Sequence, residues 1–138
     1  MAEVDTEFLL ATFGMCAFHK HMGFELEVIG LGRVNVWVRY RPELDQAMGL
    51  LHGGVYAAAV DSSTYYAALS HYGRTGTLPL TQEYKLNLLS SAKAEDLCAT
   101  AEVLKAGRTV AVAESKVRTA SGKLVAVGLA SFLIRRVD

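Results

Sequence analysis

The chain has 138 residues, of which 51% are hydrophobic and 20% charged, and its 14 basic residues balance its 14 acidic ones. At about 150 residues per domain, this length predicts a single domain over 1–138 whose core needs no disulfide or metal to hold it. So apolar a composition excludes a disordered chain, and a net charge of zero argues against binding to nucleic acid or to an anionic membrane.

The N-terminus and the cysteines indicate a cytoplasmic protein. The first residues are acidic where a secretory signal would be basic. The longest apolar run, 53–69, contains Asp61 and is shorter than the roughly 20 residues that a membrane span needs. Cys16 and Cys98 match no metal or redox spacing, so we expect free thiols in a reducing compartment, with a disulfide as the alternative.

Hydrophobic periodicity predicts the first two elements. Residues 6–18 carry apolar side chains at helical spacing, with Asp5 or Thr6 as the cap, and predict a short helix. Residues 26–40 alternate between apolar and polar side chains and predict a strand. The glycines within 30–32 loosen that alternation and indicate a bulge or a turn there.

The next segment, 53–72, is rich in alanine and has small side chains around most of its circumference, which predicts a buried helix. Alternating segments separated by short glycine-containing turns then predict antiparallel strands. These predicted strands are 78–89, 97–106, 109–119 and 123–135.

This order of elements predicts an α+β fold in which an antiparallel sheet wraps around a single Ala-rich helix. The last strand, 123–135, is apolar on both of its faces. The helix can cover only one face, and one domain has nothing left to cover the other. We therefore expect a homo-oligomer.

The loop that enters the buried helix reads His52-Gly53-Gly54. Free N–H groups at a helix N-terminus carry partial positive charge, and glycine lets a ligand oxygen approach the backbone closely. A carbonyl oxygen that becomes an oxyanion would be stabilised there. The alternative is that this motif is only a tight helix entry, with His52 as its cap.

Asp61 lies two turns into the same helix, among apolar neighbours. A carboxylate in such surroundings is costly unless it is paired or used, so it is a candidate general base or nucleophile. The alternative is that Asp61 caps a second helical segment that starts at Ser62.

Other chemistry-bearing residues are weaker candidates. For His19 and His21, surface positions are favoured over a metal site, and His71 is expected to be structural. The sequence contains no phosphate-binding glycine loop, no nucleophile elbow and no zinc-ligand spacing, so no metal is predicted.

With Gln46, His52-Gly53-Gly54 and Asp61 in place, the sequence resembles the hotdog-fold acyl-CoA thioesterases, most closely the PaaI-type and 4-hydroxybenzoyl-CoA thioesterase families. The resemblance extends over nearly the whole chain. It includes the segments Gly23-Phe24-Glu25-Leu26, Leu51-His52-Gly53-Gly54-Val55 and Ser121-Gly122-Lys123-Leu124-Val125-Ala126.

The resemblance implies a role for each matching position. Asp61 would attack the thioester carbonyl or activate a water, and Gly53 would donate its N–H to the carbonyl oxygen. Gln46, which stands where many members have Asn, would orient the water or the carboxylate. His52 would hold the loop, and Thr81 would place a hydroxyl near the attacked carbon. Sites of this family are shared between subunits, which implies a homodimer or homotetramer.

The implied substrate is an aryl- or medium-chain acyl-CoA, hydrolysed to free acid and CoA without any cofactor, since CoA is part of the substrate. Lys93, Lys105 and Arg108 are candidates for contacts with its phosphates; the alternative is ordinary solvated charge.

A non-catalytic acyl-CoA-binding domain is the alternative function. Asp61 favours the enzyme, because a sensor or carrier gains nothing from a carboxylate beside a thioester. A hydratase of the same fold would need a proline-rich loop, which 42–54 does not match.

Overall fold

The computed structural model describes residues 3–137. Two short helices precede a strand hairpin and a single 3-10 turn, a long helix follows, and four strands complete the chain. The elements are α1 (Thr6–Met15), α2 (Ala17–Met22), β1 (Phe24–Gly30), β2 (Arg33–Val38), the 3-10 turn Pro42–Leu44, α3 (Gly53–Leu69), β3 (Thr77–Leu88), β4 (Leu97–Ala106), β5 (Val110–Thr119) and β6 (Leu124–Arg136).

The strands form one six-stranded sheet in the order β1-β2-β4-β5-β6-β3, and every neighbouring pair is antiparallel. Helix α3 packs across the sheet and contacts five of its strands. This arrangement confirms the predicted α+β hotdog fold. β3 comes directly after α3 in the chain but lies at an edge of the sheet, so along one of its sides no strand from residues 3–137 lies beside it.

Small side chains allow α3 to approach the sheet closely. Ala59, Val60 and Ala67 are fully buried, and Ser63 shares a 2.8 Å hydrogen bond with Ser115 on β5. At Gly128 on β6 a side chain would meet Val60 Cγ1 at 2.4 Å. The prediction of a buried central helix is therefore confirmed, with its packing set by alanine, serine and one sheet glycine.

The first predicted helix is two helices in the structure. The Phe8 N–H donates to Asp5 Oδ1 at 2.9 Å, so Asp5 rather than Thr6 caps α1. Cys16 then adopts an extended backbone, with φ −77° and ψ 111°, and its conformation ends α1. The second helix, α2, ends at Gly23, whose φ of 69° lies in the left-handed region that favours glycine.

The strand predicted over 26–40 is a hairpin, β1 and β2, that turns at Gly32 with φ 73°. Helix α3 ends at Leu69 rather than at residue 72, and the last four strands agree with their predicted bounds to within one residue.

Cys16 and Cys98 are free and partly buried. Within residues 3–137, no helix is both long and apolar enough to cross a membrane.

Candidate active site

The loop before α3 is organised by Gln46. Its backbone N–H donates to the Leu50 carbonyl at 2.7 Å, and its side-chain Oε1 accepts from the Met48 N–H. Gly49 turns the chain with φ 77°. These bonds close a tight loop that delivers the chain to the start of α3. Gln46 thus uses its amide oxygen to hold the loop.

His52 is the N-cap of α3. Its Nδ1 accepts the Gly54 N–H at 2.8 Å, which places the ring proton on Nε2, and its carbonyl accepts from Val55 at 2.9 Å. The Gly53 N–H has no acceptor among residues 3–137. The capping interpretation of His52 is therefore confirmed, and the cap leaves a free N–H at Gly53.

A cavity of about 290 Å³ opens beside Gly53. Gly53 and Gln46 lie on its wall together with Tyr56, Leu88 and Ser90. Leu88 is the last residue of the edge strand β3 and is 55% exposed. The cavity therefore lies where the start of α3 meets the free edge of the sheet.

Asp61 lies inside α3, which continues unbroken from Gly53 to Leu69. The alternative in which Asp61 caps a new helical segment is therefore wrong, because no helix begins at Ser62. Asp61 Oδ1 accepts a hydrogen bond from Thr81 Oγ1 at 2.8 Å. β3 and β6 shift register between Thr81 and Glu83, so a bulge directly follows this contact.

A second cavity, of about 430 Å³, lies next to the Asp61 carboxylate. This volume lies within the range of roughly 300–1,000 Å³ typical of small-molecule sites. The lining of this cavity comes from both N-terminal helices, from α3 and from β3: Thr12, Met15, Cys16, Phe18, His19, Asp61, Ser62, Tyr65, Tyr66 and Thr81. Buried His19, Ser62 and Tyr66 form its inner end, and exposed Met15, Phe18 and Thr81 form its rim.

The prediction of a surface position is wrong for His19, which is 6% exposed. The break at Cys16 reorients the chain so that α2 packs its histidine inward. The imidazole stacks on Phe13 at a centroid distance of 4.0 Å, and its Nε2 lies 3.1 Å from Ser62 Oγ. Burial lowers the pKa of His19, and the Phe13 carbonyl and the Asp61 charge oppose that shift in part.

His19 is the main site residue that sequence reasoning missed. In the sequence, the one indication is that aromatic residues are frequent on both sides of His19. Periodicity alone does not show that this segment packs next to Asp61. His21 is exposed as expected. His71 is also exposed as a residue, although partial burial of its ring lowers its pKa. No group of three or more potential metal ligands occurs within residues 3–137.

The two cavities are separated along α3. Gly53 and Asp61 are eight residues apart in the sequence. On a helix, that spacing corresponds to a rise of about 12 Å and a rotation of about 80°. The Gly53 N–H and the Asp61 carboxylate of one chain therefore do not reach the same carbonyl group.

The three candidate phosphate-binding cations are all exposed and lie at opposite ends of α3. Lys93 follows Ala92, whose N–H donates to Tyr56 Oη at 3.0 Å near the start of the helix. Lys105 and Arg108 flank Gly107, whose carbonyl accepts from Tyr72 Oη at 2.7 Å beyond the helix end. A helix of this length spans about 25 Å, so the structure does not bring the three together within one chain.

Comparison with known proteins places this geometry in a family. The family model of the thioesterase superfamily matches residues 48–126, which include the Gly53 loop, Asp61 and Thr81. Human acyl-coenzyme A thioesterase 13 is 34% identical over 99 residues, covering 70% of this chain and 69% of that protein. A candidate esterase of Saccharolobus solfataricus is 34% identical over 114 residues, covering 81% and 80%.

Solved structures support the same placement. A thioesterase family protein from Silicibacter pomeroyi superposes with a TM-score of 0.87 at 28% identity, covering 96% of this chain and 98% of that one. Thioesterase HI1161 from Haemophilus influenzae shares the fold with a TM-score of 0.88 at 22% identity, covering 99% and 96%. The chain belongs to the thioesterase superfamily, and its class is that of the thioester hydrolases.

Proposed function

We propose that this protein hydrolyses aryl- or medium-chain acyl-CoA thioesters to the free acid and CoA. The observation that carries the proposal is the Asp61 carboxylate, held by the Thr81 hydroxyl at the edge of the cavity of about 430 Å³, which we now call the acyl cavity. The curated relative named as an acyl-coenzyme A thioesterase supports the substrate class. The reaction consumes water and needs no cofactor.

Asp61 would act on the carbonyl carbon in one of two ways. As a nucleophile it forms an acyl-aspartyl anhydride and releases CoA thiolate, and water then cleaves the anhydride. As a general base it removes a proton from a water whose oxygen bonds to the carbonyl carbon; the C–S bond then breaks, and the leaving CoA thiolate takes up that proton. Both routes give the acid and free thiol. The Thr81 hydroxyl donates to Oδ1, which fixes the carboxylate and leaves Oδ2 for the chemistry.

The free N–H of Gly53 would stabilise the oxyanion. Because Gly53 and Asp61 of one chain are about 12 Å apart along the helix, the two must come from different subunits to act on one carbonyl. We therefore propose a homodimer in which Asp61 of one chain faces Gly53 of the partner subunit. A homotetramer would be two such dimers.

The edge strand β3 is the proposed dimer contact. It runs for 12 residues and exposes Leu80, Tyr84 and Leu88 to between 43% and 55%. A long apolar edge with unpaired backbone groups favours pairing with another strand. Both cavities border β3, so pairing of two copies at this edge would bring the acyl cavity of one towards the Gly53 cavity of the other.

Lys93 is the best placed of the three cations to meet a CoA phosphate, because it lies on the Gly53 side of the molecule. Lys105 and Arg108 would serve only if a partner brings them closer. Charge-assisted contacts of exposed cations weaken with salt, so KM for acyl-CoA should rise with ionic strength.

The free thiols of Cys16 and Cys98 suit the reducing cytoplasm, where we place the protein.

The test is hydrolysis of a panel of acyl-CoAs by the full chain, followed with a thiol-detecting reagent. We expect turnover on at least one aryl or medium-chain thioester, and a loss of a hundredfold or more in Asp61→Asn, which keeps the size and removes the base. A parallel Thr81→Val variant should lose less, because it only frees the carboxylate. Binding without turnover would instead identify an acyl-CoA sensor or carrier, and parental turnover in Asp61→Asn would exclude Asp61 from the mechanism.

A further inference from the structure

Tyr56 lies on the wall of the cavity beside Gly53, which we call the Gly53 cavity, although only 3% of the residue is exposed. It stands in the first turn of α3, three residues after Gly53. Leu51, directly before the cap, is buried in the same core cluster. A hydrophobic residue at that position commonly packs against the fourth residue of a helix, which is Tyr56 here. The fold therefore accounts for the burial of the Tyr56 ring.

The hydroxyl of Tyr56 accepts a hydrogen bond but does not donate one. Its oxygen accepts the Ala92 N–H at 3.0 Å, and this is its one hydrogen bond among residues 3–137. A phenol is both donor and acceptor, so the O–H has no acceptor within that part of the chain. Burial raises the pKa of Tyr56, and the Ala92 N–H opposes that shift in part. The hydroxyl therefore keeps its proton at neutral pH.

Two other tyrosines show the usual arrangement, in which the hydroxyl proton is bound by the protein itself. Tyr40 donates to Asp45 Oδ2 at 2.8 Å, and Tyr72 donates to the Gly107 carbonyl at 2.7 Å. Leaving a buried donor without an acceptor is costly. An oxygen of a bound molecule in the Gly53 cavity would supply the acceptor that Tyr56 lacks.

Helix geometry brings the free N–H of Gly53 and the hydroxyl of Tyr56 to the same cavity. Residues three apart lie on one face of a helix, about 4.5 Å apart along its axis. A helical side chain leans towards the N-terminus, so the Tyr56 ring extends back over the turn that contains Gly53. Both donors belong to one chain, and the other walls of the cavity are largely leucine.

We infer that the Tyr56 hydroxyl is a second donor to the thioester carbonyl oxygen, beside the Gly53 N–H. The inference rests on the proposed function, because it concerns the carbonyl group of the same substrate. When a nucleophile bonds to the carbonyl carbon, an electron pair of the C=O bond moves to the oxygen, and both hydrogen bonds strengthen as that charge develops. The pair returns to the C=O bond when the C–S bond breaks. Tyr56 is thus a catalytic residue that neither gains nor loses a proton.

The variant Tyr56→Phe removes the donor and keeps the ring. Turnover should fall by roughly a hundredfold, as for the loss of one oxyanion donor. The values of kcat and kcat/KM should fall together, because the hydrogen bond gains most of its strength in the transition state. Tyr72→Phe is the matched control. It also deletes a tyrosine hydroxyl that makes one hydrogen bond, but beyond the far end of α3, and its turnover should equal that of the parent.

A binding measurement tests the same contact without turnover. Phenylacetyl-CoA and octanoyl-CoA, each with carbon-13 at the thioester carbonyl, are bound to the full chain carrying Asp61→Asn. Infrared difference spectroscopy then gives the carbonyl stretching frequency, which a hydrogen-bond donor lowers. Adding Tyr56→Phe should raise that frequency. Incorporating 3-fluorotyrosine at position 56, a stronger donor that still accepts from Ala92, should lower it further, and Tyr72→Phe should leave it unchanged.

The fluorinated protein keeps the hydrogen bond to Ala92, so it decides the question even if Tyr56→Phe does not fold. A carbonyl frequency that does not respond to either change at position 56 would overturn the inference, as would failure of both thioesters to bind or parental turnover in a folded Tyr56→Phe protein. If the frequency shifts as expected but the unchanged chain hydrolyses neither thioester, the contact is supported and only the proposed activity fails. Turnover that requires Asp61 but not Tyr56 would leave the proposed function intact and exclude this inference alone.

Discussion

At the scale of single residues, Gly53 and Gly54 stand side by side at the start of α3 but meet different surroundings. A Cβ at Gly54 would lie 3.0 Å from His52 Nδ1, within the cap itself. A Cβ at Gly53 would approach only Leu88 Cδ1, at 3.2 Å, and the backbone there has no positive φ. Gly54 is therefore tied to the structure of the helix entry, whereas Gly53 is open towards its cavity.

This difference makes Gly53→Val an informative change. We expect turnover to fall by roughly a hundredfold or more, because a branched side chain blocks access to the N–H that holds the oxyanion. Stability should fall only modestly, since the Leu88 side chain can shift. Turnover on the best acyl-CoA and a thermal melt measure the two effects.

Gly30→Val is the matched control, because a Cβ at Gly30 meets nothing within 4 Å and the residue is remote from both cavities. Its turnover should equal that of the parent. Full activity in a folded Gly53→Val protein would contradict the proposed oxyanion role.

Because the imidazole of His19 is buried, we expect the free energy of unfolding to depend on pH. Burial lowers its pKa in the folded chain below the value of about 6.5 expected for an unfolded one. As the pH falls through that range the unfolded chain takes up the proton first, so the free energy of unfolding decreases from pH 7.5 to pH 5.5. Urea denaturation at the two pH values measures the slope.

The variant His19→Phe should show a smaller decrease over the same pH interval, because it removes one of the groups responsible. Part of the slope should remain, since partial burial of the ring also lowers the pKa of His71. An unchanged slope in His19→Phe would show that His19 is not protonated differently in the two states.

At the scale of elements, the contact between α3 and β6 sets how closely the helix lies on the sheet. Gly128 has no side chain, and a Cβ there would meet Val60 Cγ1 at 2.4 Å and Cγ2 at 3.1 Å. Gly128→Ala should therefore destabilise the fold by roughly 1–3 kcal/mol through overpacking. Chemical denaturation gives this value directly.

A second change tests the cause. In the double variant Gly128→Ala with Val60→Ala, the clash is absent, so the two effects on unfolding free energy should be less than additive. Strict additivity would mean that the helix moves away from β6 at little cost in free energy. It would show that the close packing of α3 on β6 does not require glycine at position 128.

At the scale of the whole molecule, the separation of the two cavities implies that activity depends on assembly. We expect light scattering at micromolar concentration to report at least a dimer. Tyr84→Glu places a charge on the exposed apolar side of β3 and should shift the protein towards the monomer with a matching loss of turnover.

The control is Leu104→Glu, which adds the same charge at a residue that is 57% exposed on β4, away from the edge strand. It should change neither mass nor turnover. A monomer that retains full activity would contradict the shared site.

Local chemistry was readable from the sequence. Glycine turns and alternation define the four later strands, and small side chains mark the central helix. The His52-Gly53-Gly54 entry with its cap is also a local feature. In each of these cases the interacting groups are close in the chain. Hydrophobic periodicity and the residue types at the turns are therefore enough to predict the local structure.

Other features depend on contacts between distant segments. His19 contacts Ser62, which lies 43 positions later in the chain. Asp61 on α3 contacts Thr81 on β3, which lies 20 positions later. Periodicity predicted the alternation along β3. It predicted neither the bulge between Thr81 and Glu83 nor the position of the strand at the edge of the sheet, where Leu80, Tyr84 and Leu88 stay exposed. By itself the sequence determined the helix, the strands and the residue types of the site. The distance of about 12 Å between Gly53 and Asp61 follows from the helix that the sequence predicts. Tertiary structure alone decided that α2 and β3 line the Asp61 cavity and that the end of β3 lines the Gly53 cavity, because both depend on packing between segments that are distant in the chain.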